Sequence, residues 1–146
     1  MIKIAASLVE RIERQAEAEY PRECCGLLIG SIETDGRARV VVEIRAVANA
    51  WEESATMHRR MLITPQDYMR AEREFSRQGQ GVVGNYHSHP DHPAVPSQFD
   101  LEHLAPWPTM SYIVVSVHEG RATALRSWEL AADRSRFVEE EISKGS

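Results

Sequence analysis

No stretch of this sequence is both long and free of charge. From Met1-Ile2-Lys3-Ile4 the chain reaches Glu10 and Arg11 before any apolar segment grows to the length of a signal peptide or membrane span. No membrane association is therefore expected, and the cytoplasm is the default location. Cysteine is scarce too: Cys24 and Cys25 are the only two, and adjacent cysteines do not readily close an unstrained bridge. A disulfide-stapled secreted scaffold is excluded. Two neighbouring thiols could bind metal, but the apolar run after them favours buried cysteines behaving as small hydrophobes. An excess of basic charge is also missing. With 17 Lys and Arg against 22 Asp and Glu the formal charge is -5, which argues against a partner bound through a phosphate backbone. Internal repeats and low-complexity segments are absent as well.

What is present suits one folded unit. A chain of 146 residues, 42% hydrophobic and 27% charged, can bury a sizeable core, so a single domain over residues 1–146 is expected. Ser7 and Glu10 have the form of a capping box, and Leu8, Ile12 and Ala16 then recur at helical spacing until Pro21. Cys24 to Ile32 and Ala38 to Val47 read as a hairpin about Asp35-Gly36, and Met57 to Ile63 as a weaker strand. Thr64-Pro65-Gln66-Asp67 opens a second helix that ends at Gly79. A buried strand from Gly81 to His87 leads into a proline-rich loop, and Ser97 starts a short helix closed by Pro106. Met110 to Val117 and Arg121 to Leu130 read as strands about His118-Glu119-Gly120, and Asp133 to Ser143 as a terminal amphipathic helix. This order predicts an α/β or α+β layered domain, a central mixed sheet with helices on both sides.

The chemistry concentrates between Tyr86 and Asp100. Residues two apart on a strand share a face, so His87 and His89 can offer both imidazoles to one cation. Ser97 and Asp100 are three apart, on one side of a first helical turn, where the carboxylate can complete a His/His/Asp set with a fourth position open to water. Such a centre suits hydrolysis, because the metal acidifies water and polarises a carbonyl. Glu23, at the entry to the first long strand, is the candidate general base, and Ser97 a candidate oxyanion donor. Each part has a plainer reading. Ser97-x-x-Asp100 is also a capping box, loop histidines are commonly surface polarity, and a lone glutamate is commonly a solvated charge. Taken together, the spacing arises by chance in about one chain in a thousand of this composition. His92 could supplement the ligands and Asp91 could orient a histidine, while Trp51 could face substrate or cover the core edge.

The pattern Glu23, His87-Ser88-His89, seven residues, Ser97-x-x-Asp100 resembles the JAMM (MPN+) metalloproteases. The resemblance extends to Tyr20 through Gly30, Ile63-Thr64-Pro65, Val83 through Tyr86 and Tyr112 through Ser116, and so covers nearly the whole chain. It implies a three-layer cytidine-deaminase-like (JAB/MPN) fold. It further implies one Zn2+ held by His87, His89, Asp100 and a water, with base catalysis by Glu23 and assistance from Ser97. The implied activity is that of a peptidase or isopeptidase. Compact prokaryotic-type members, similar to this chain in length, process ubiquitin-like or sulfur-carrier proteins at a C-terminal Gly-Gly tail. There is no room for the long insertions with which larger members grip ubiquitin chains, so linkage specificity is not implied. The Pro-Cys-x-x-Cys pattern of deaminases is absent. Two alternatives are a non-catalytic MPN scaffold and a peptidase of cell-wall-type peptides.

Overall fold

In a computed structural model of the chain, which describes residues 1–51, 53, 56–58, 60–103 and 109–145, one eight-stranded mixed sheet organises the molecule. In chain order the elements are β1 (Ile2–Ile4), α1 (Ala6–Glu19), β2 (Cys25–Ile32), β3 (Arg39–Val47), α2 (Pro65–Phe75), β4 (Gly81–Pro90), α3 (Gln98–His103), β5 (Ser111–His118), β6 (Arg121–Leu130), β7 (Phe137–Glu140) and β8 (Ile142–Ser143). The strand order is β7-β6-β5-β4-β2-β3-β1-β8. Pairing is parallel between β4 and β5, β1 and β3, and β1 and β8, and antiparallel elsewhere.

Alternation along β2 shows why helices occupy both faces. Cys24 and Leu28 join the core beneath α1, with Leu8, Ile12, Tyr86 and Ile113. Cys25, Leu27 and Ile29 point the other way and pack with Ala71 of α2. The same rule sorts β4: Tyr86 lies under α1, and His87 and His89 face the opposite side with α2 and α3. Both cysteines are free and fully buried, and burial pushes their thiols upward, Cys24 to about 12. Among the described residues no helix is long and apolar enough to cross a membrane.

The local signals for α2 act as the sequence implies. Thr64 Oγ1 accepts from the Asp67 amide and the Asp67 carboxylate accepts from the Thr64 amide, with Pro65 at the first helical position. A 3-10 turn over Ser76–Gln78 follows, and Gly79 closes it in the left-handed conformation. The hairpin turn likewise places Gly36 at φ 73°.

Four expectations need correction. Ser7 does not cap α1: the helix starts at Ala6, behind Ala5, without a side-chain cap. Met57 to Ile63 contains no strand among its described residues, where Asn49 takes the Leu62 amide instead of a ladder partner. The expected helix from Asp133 to Ser143 is two short strands. There Arg126 pairs with Glu139, Ser127 bonds Glu140 at 2.7 Å and Phe137 packs on Tyr112, and these sheet contacts outweigh the weak helical periodicity. Asp91 orients neither His87 nor His89; it accepts from the Tyr20 hydroxyl and the Glu119 amide. The expected stop at Pro106 lies outside the described residues. A strand at the N-terminus, β1, was not expected.

One close approach ties the sheet to the site. A Cβ added at Gly26 would stand 2.1 Å from Tyr86 Cζ, so the tyrosine beside His87 can lie flat only over a glycine. Gly26→Ala is expected to cost about 1–3 kcal/mol through overpacking. Thermal unfolding checks this, and an unchanged melting temperature would show that Tyr86 relocates freely.

Candidate metal centre

Sheet register sets the first two groups of the site. His87 lies opposite Cys25 of β2 and Val114 of β5, and His89 opposite Ser116. Both rings are buried and stand edge to face with centroids 4.8 Å apart. The third group comes from the first turn of α3. There Asp100 Oδ2 accepts from the Ser97 amide at 2.8 Å, and Ser97 Oγ accepts from the Asp100 amide at 3.1 Å. The capping box therefore exists, and it aims the carboxylate at the histidines. His87 Nε2 and His89 Nε2 are 3.0 Å apart, and Asp100 Oδ2 stands 3.1 Å from the first and 3.2 Å from the second.

These separations are those of hydrogen bonds and are also close to what a shared cation requires. Donors around a tetrahedral zinc with bonds of about 2.0–2.1 Å stand about 3.3 Å apart. With both rings neutral, a single proton on His87 Nε2 can serve at most two of the three pairs and leaves the His89–Asp100 pair opposed. His89 Nδ1 lies 3.0 Å from the Pro93 carbonyl, which only accepts, so Nδ1 carries the proton and Nε2 presents a lone pair toward a carboxylate oxygen. A cation between them resolves that opposition. His87 Nδ1 and Asn85 Oδ1, neighbours along the same face of β4, are buried polar atoms with no hydrogen-bond partner among the described residues.

Glu23 is 4% exposed, and with His87 and His89 it forms a group whose potential ligand atoms all lie within 4.8 Å of one another. It is held through the backbone on both sides. Its amide donates to the Met57 carbonyl at 2.7 Å, and the next residue, Cys24, donates its amide to Ser88 Oγ at 2.7 Å. The serine between the two histidines thus pins the strand end that carries Glu23.

Sequence reasoning passed over Asn49. Its Nδ2 donates to the carbonyls of Glu23 (3.2 Å) and Arg60 (3.0 Å), and its Oδ1 accepts from the amides of Trp51 (3.0 Å) and Leu62 (3.1 Å). One amide so fastens the loop after β3 to the strand end bearing Glu23. No local motif announces a role that spans residues 23 to 62. Trp51 is half-buried and meets Phe99, the neighbour of Asp100, edge to face at 5.5 Å. His92 is exposed, and its backbone rather than its ring takes part in the loop, accepting from Ser116 Oγ.

The electrostatics are those of an acid and base set confined away from water. Burial raises Glu23 from an ordinary value near 4.5 to about 7, opposed by the charge on His87. Burial pulls His87 down, but Asp100 outweighs it and the net direction is up. Burial likewise opposes the charge on Asp100, yet His87, His89 and the Ser97 amide hold it well below the usual carboxylate range.

These shifts predict how the metal-free protein responds to pH. Glu23 favours the fold when protonated, so its contribution is full below about pH 4.5 and lost as pH rises through about 7. His87 acts in the same sense, full below its ordinary 6.5 and lost above its raised value. Asp100 acts in the opposite sense, its contribution present above 3.8 and lost in stronger acid. Thermal melts of metal-free protein at pH 5, 6 and 8 should therefore decline toward pH 8, by on the order of 2–3 kcal/mol for Glu23. Glu23→Gln should flatten the decline, and a wild-type melting temperature that climbs over this range contradicts the assignment.

The chain is similar to known proteins over most of its length. The family described as prokaryotic homologs of the JAB domain matches residues 5–131. A desampylase of Haloferax volcanii is 32% identical over 118 residues, covering 81% of this chain and 78% of that protein. A CysO-cysteine peptidase of Mycobacterium bovis is 29% identical over 130 residues, covering 89% and 83%. Among solved structures, a protein from Salinibacter ruber superposes with a TM-score of 0.75 at 40% identity, covering 100% of this chain and 92% of that one.

Proposed function

Because the chain belongs to the family of prokaryotic JAB-domain homologues, with the match spanning residues 5–131, we propose that it is a zinc-dependent peptidase or isopeptidase. Its proposed substrate is a ubiquitin-like or sulfur-carrier protein, cleaved after the C-terminal Gly-Gly. The observation that carries this reading is the convergence of His87 Nε2, His89 Nε2 and Asp100 Oδ2 within 3.0–3.2 Å, beside a buried glutamate. The names of the two relatives, a desampylase and a CysO-cysteine peptidase, support the substrate class.

His87, His89 and Asp100 would hold the metal. Zinc, when bound, supplies a Lewis acid that polarises the scissile carbonyl and acidifies water. Glu23 removes the proton from the attacking water and returns it to the departing nitrogen. Raised by burial to about 7, it is divided between its two protonation states near neutral pH, which suits it to both halves of that transfer. Ser97 Oγ accepts from the Asp100 amide, so its own proton is the one it can offer to the developing oxyanion. Burial of the set limits competition from bulk water.

Trimming tests the proposal. Zinc-loaded protein is incubated with a panel of ubiquitin-like carriers extended beyond Gly-Gly, and the products are read by mass spectrometry. Loss of the extension is expected for at least one carrier, and an intact panel contradicts the reading.

A further inference from the structure

Glu23 stands beyond the last rung of its sheet. The ladder between β2 and β3 ends at Cys25 and Val47, and the ladder between β2 and β4 at Cys25 and His87. Near this end β2 and β3 keep one register, with Cys25 opposite Val47, Gly26 opposite Ala46 and Leu27 opposite Arg45. Continued two residues further, that register sets Asn49 opposite Glu23. Backbone pairing has stopped there, and a side chain takes its place: Asn49 Nδ2 donates to the Glu23 carbonyl at 3.2 Å. The Glu23 amide donates to the Met57 carbonyl at 2.7 Å, so both main-chain groups of the proposed base are bonded to the loop after β3.

The same carboxamide makes three further bonds. Nδ2 also donates to the Arg60 carbonyl at 3.0 Å, and Oδ1 accepts from the amides of Trp51 and Leu62 at 3.0 and 3.1 Å. One side of the group gives and the other receives, so a carboxylate of the same size could serve only the receiving side. The Ala50 amide closes the loop on the Leu62 carbonyl at 3.0 Å. Through Trp51, which meets Phe99 edge to face at 5.5 Å, the loop also rests on the helix that presents Asp100. The proposed base and the proposed ligand helix therefore share one brace, and Asn49 is its joint to the base.

A general base must keep its carboxylate within hydrogen-bond reach of the water it deprotonates, and a misplacement of about 1 Å can cost about 10²-fold in rate. A side chain carried past the end of a ladder holds such a position only if its backbone is fixed by other means. We propose that Asn49 is a positioning residue for the base: its side-chain amide replaces the missing ladder bond at Glu23 and holds that carboxylate in place for proton transfer. The proposal rests on the hydrolase reading above, deepening it to the support of one residue. Asn49 acts through Glu23 alone and touches neither substrate nor metal.

Asn49→Asp separates positioning from general support. It keeps the bonds accepted from Trp51 and Leu62 and sets an oxygen against the carbonyls of Glu23 and Arg60. On a carrier that the zinc-loaded wild type trims, kcat is expected to fall about 10²-fold, with KM and zinc affinity unchanged. In a Glu23→Gln background the same substitution is expected to leave the residual rate unchanged, because a residue acting only through Glu23 then has nothing to position. Equal falls in both backgrounds overturn the proposal, as does an undiminished kcat in the single variant. Amide hydrogen exchange of metal-free protein gives a readout independent of turnover. Protection of the Glu23 amide is expected to drop about tenfold in Asn49→Asp, while the amides of central β2 and β4 keep theirs. Unchanged protection at Glu23, or an equal drop throughout the sheet, overturns the proposal. Asn49→Ala, which sets no charge against the carbonyls, carries the same measurements if Asn49→Asp does not fold. A wild type that trims no carrier, with the local loss of protection still seen, would count against the hydrolase reading and leave Asn49 as the anchor of this strand end.

Discussion

Glu23→Gln is expected to keep the metal and lose turnover by about 10²–10⁴-fold, the usual worth of a positioned general base. Glutamine is nearly isosteric, and the strand end is held by the Glu23 amide on the Met57 carbonyl, the Cys24 amide on Ser88 Oγ and the Asn49 side chain on the Glu23 carbonyl, so the backbone contacts survive the change. The three donors of the metal set lie on β4 and α3 and are untouched. Metal content by elemental analysis and kcat on a trimmed carrier give the two readouts. Equal loss of metal in Glu23→Gln would make Glu23 a ligand instead of a base, a live distinction because it stands within 4.8 Å of both histidines.

Asp100→Ala is expected to behave differently. It deletes one of three protein donors, which in sites binding zinc at 10–16 kcal/mol corresponds to a loss of roughly two to three orders of magnitude in affinity. It also removes the acceptor for the Ser97 amide, one half of the capping box, at a cost of about 1 kcal/mol. Ser97→Ala separates the two effects, because it removes the other half of the box and leaves the carboxylate in place. A competition titration with a chromophoric chelator should show weak zinc binding in Asp100→Ala and near-native binding in Ser97→Ala. Matching losses in both would mean that the cap, not the ligand, sets affinity.

The parts of this arrangement that were legible in the sequence are those written in local chemistry. Thr64-Pro65 and Asp67 specify the start of α2 to the residue, and Gly79 closes the 3-10 turn that follows it, because each signal acts within one turn. His87 and His89 are legible because a strand's period is two and both neighbours of β4 hold it in register. Ser97 and Asp100 admitted two readings, cap or ligand, and the structure brings both into one geometry: the oxygen that accepts the cap hydrogen bond is the one facing the imidazoles.

What was not legible depends on partners distant in sequence. Phe137, Val138 and Ile142 fit a helical face as well as a strand, and the choice falls to Tyr112, Arg126 and Ser127 across the sheet edge. Ile2–Ile4 is too short to show a period and becomes a strand because β3 and β8 flank it. Asn49 carries no motif at all. Its importance comes from a side-chain amide that spans Glu23 and Leu62.

The most direct measurement is anomalous diffraction at the zinc edge from crystals of protein loaded with one equivalent of zinc. One peak is predicted about 2.0–2.2 Å from His87 Nε2, His89 Nε2 and Asp100 Oδ2, with Glu23 outside bonding distance. A peak at the cysteine pair, or one bonded to Glu23 in place of Asp100, would contradict the account.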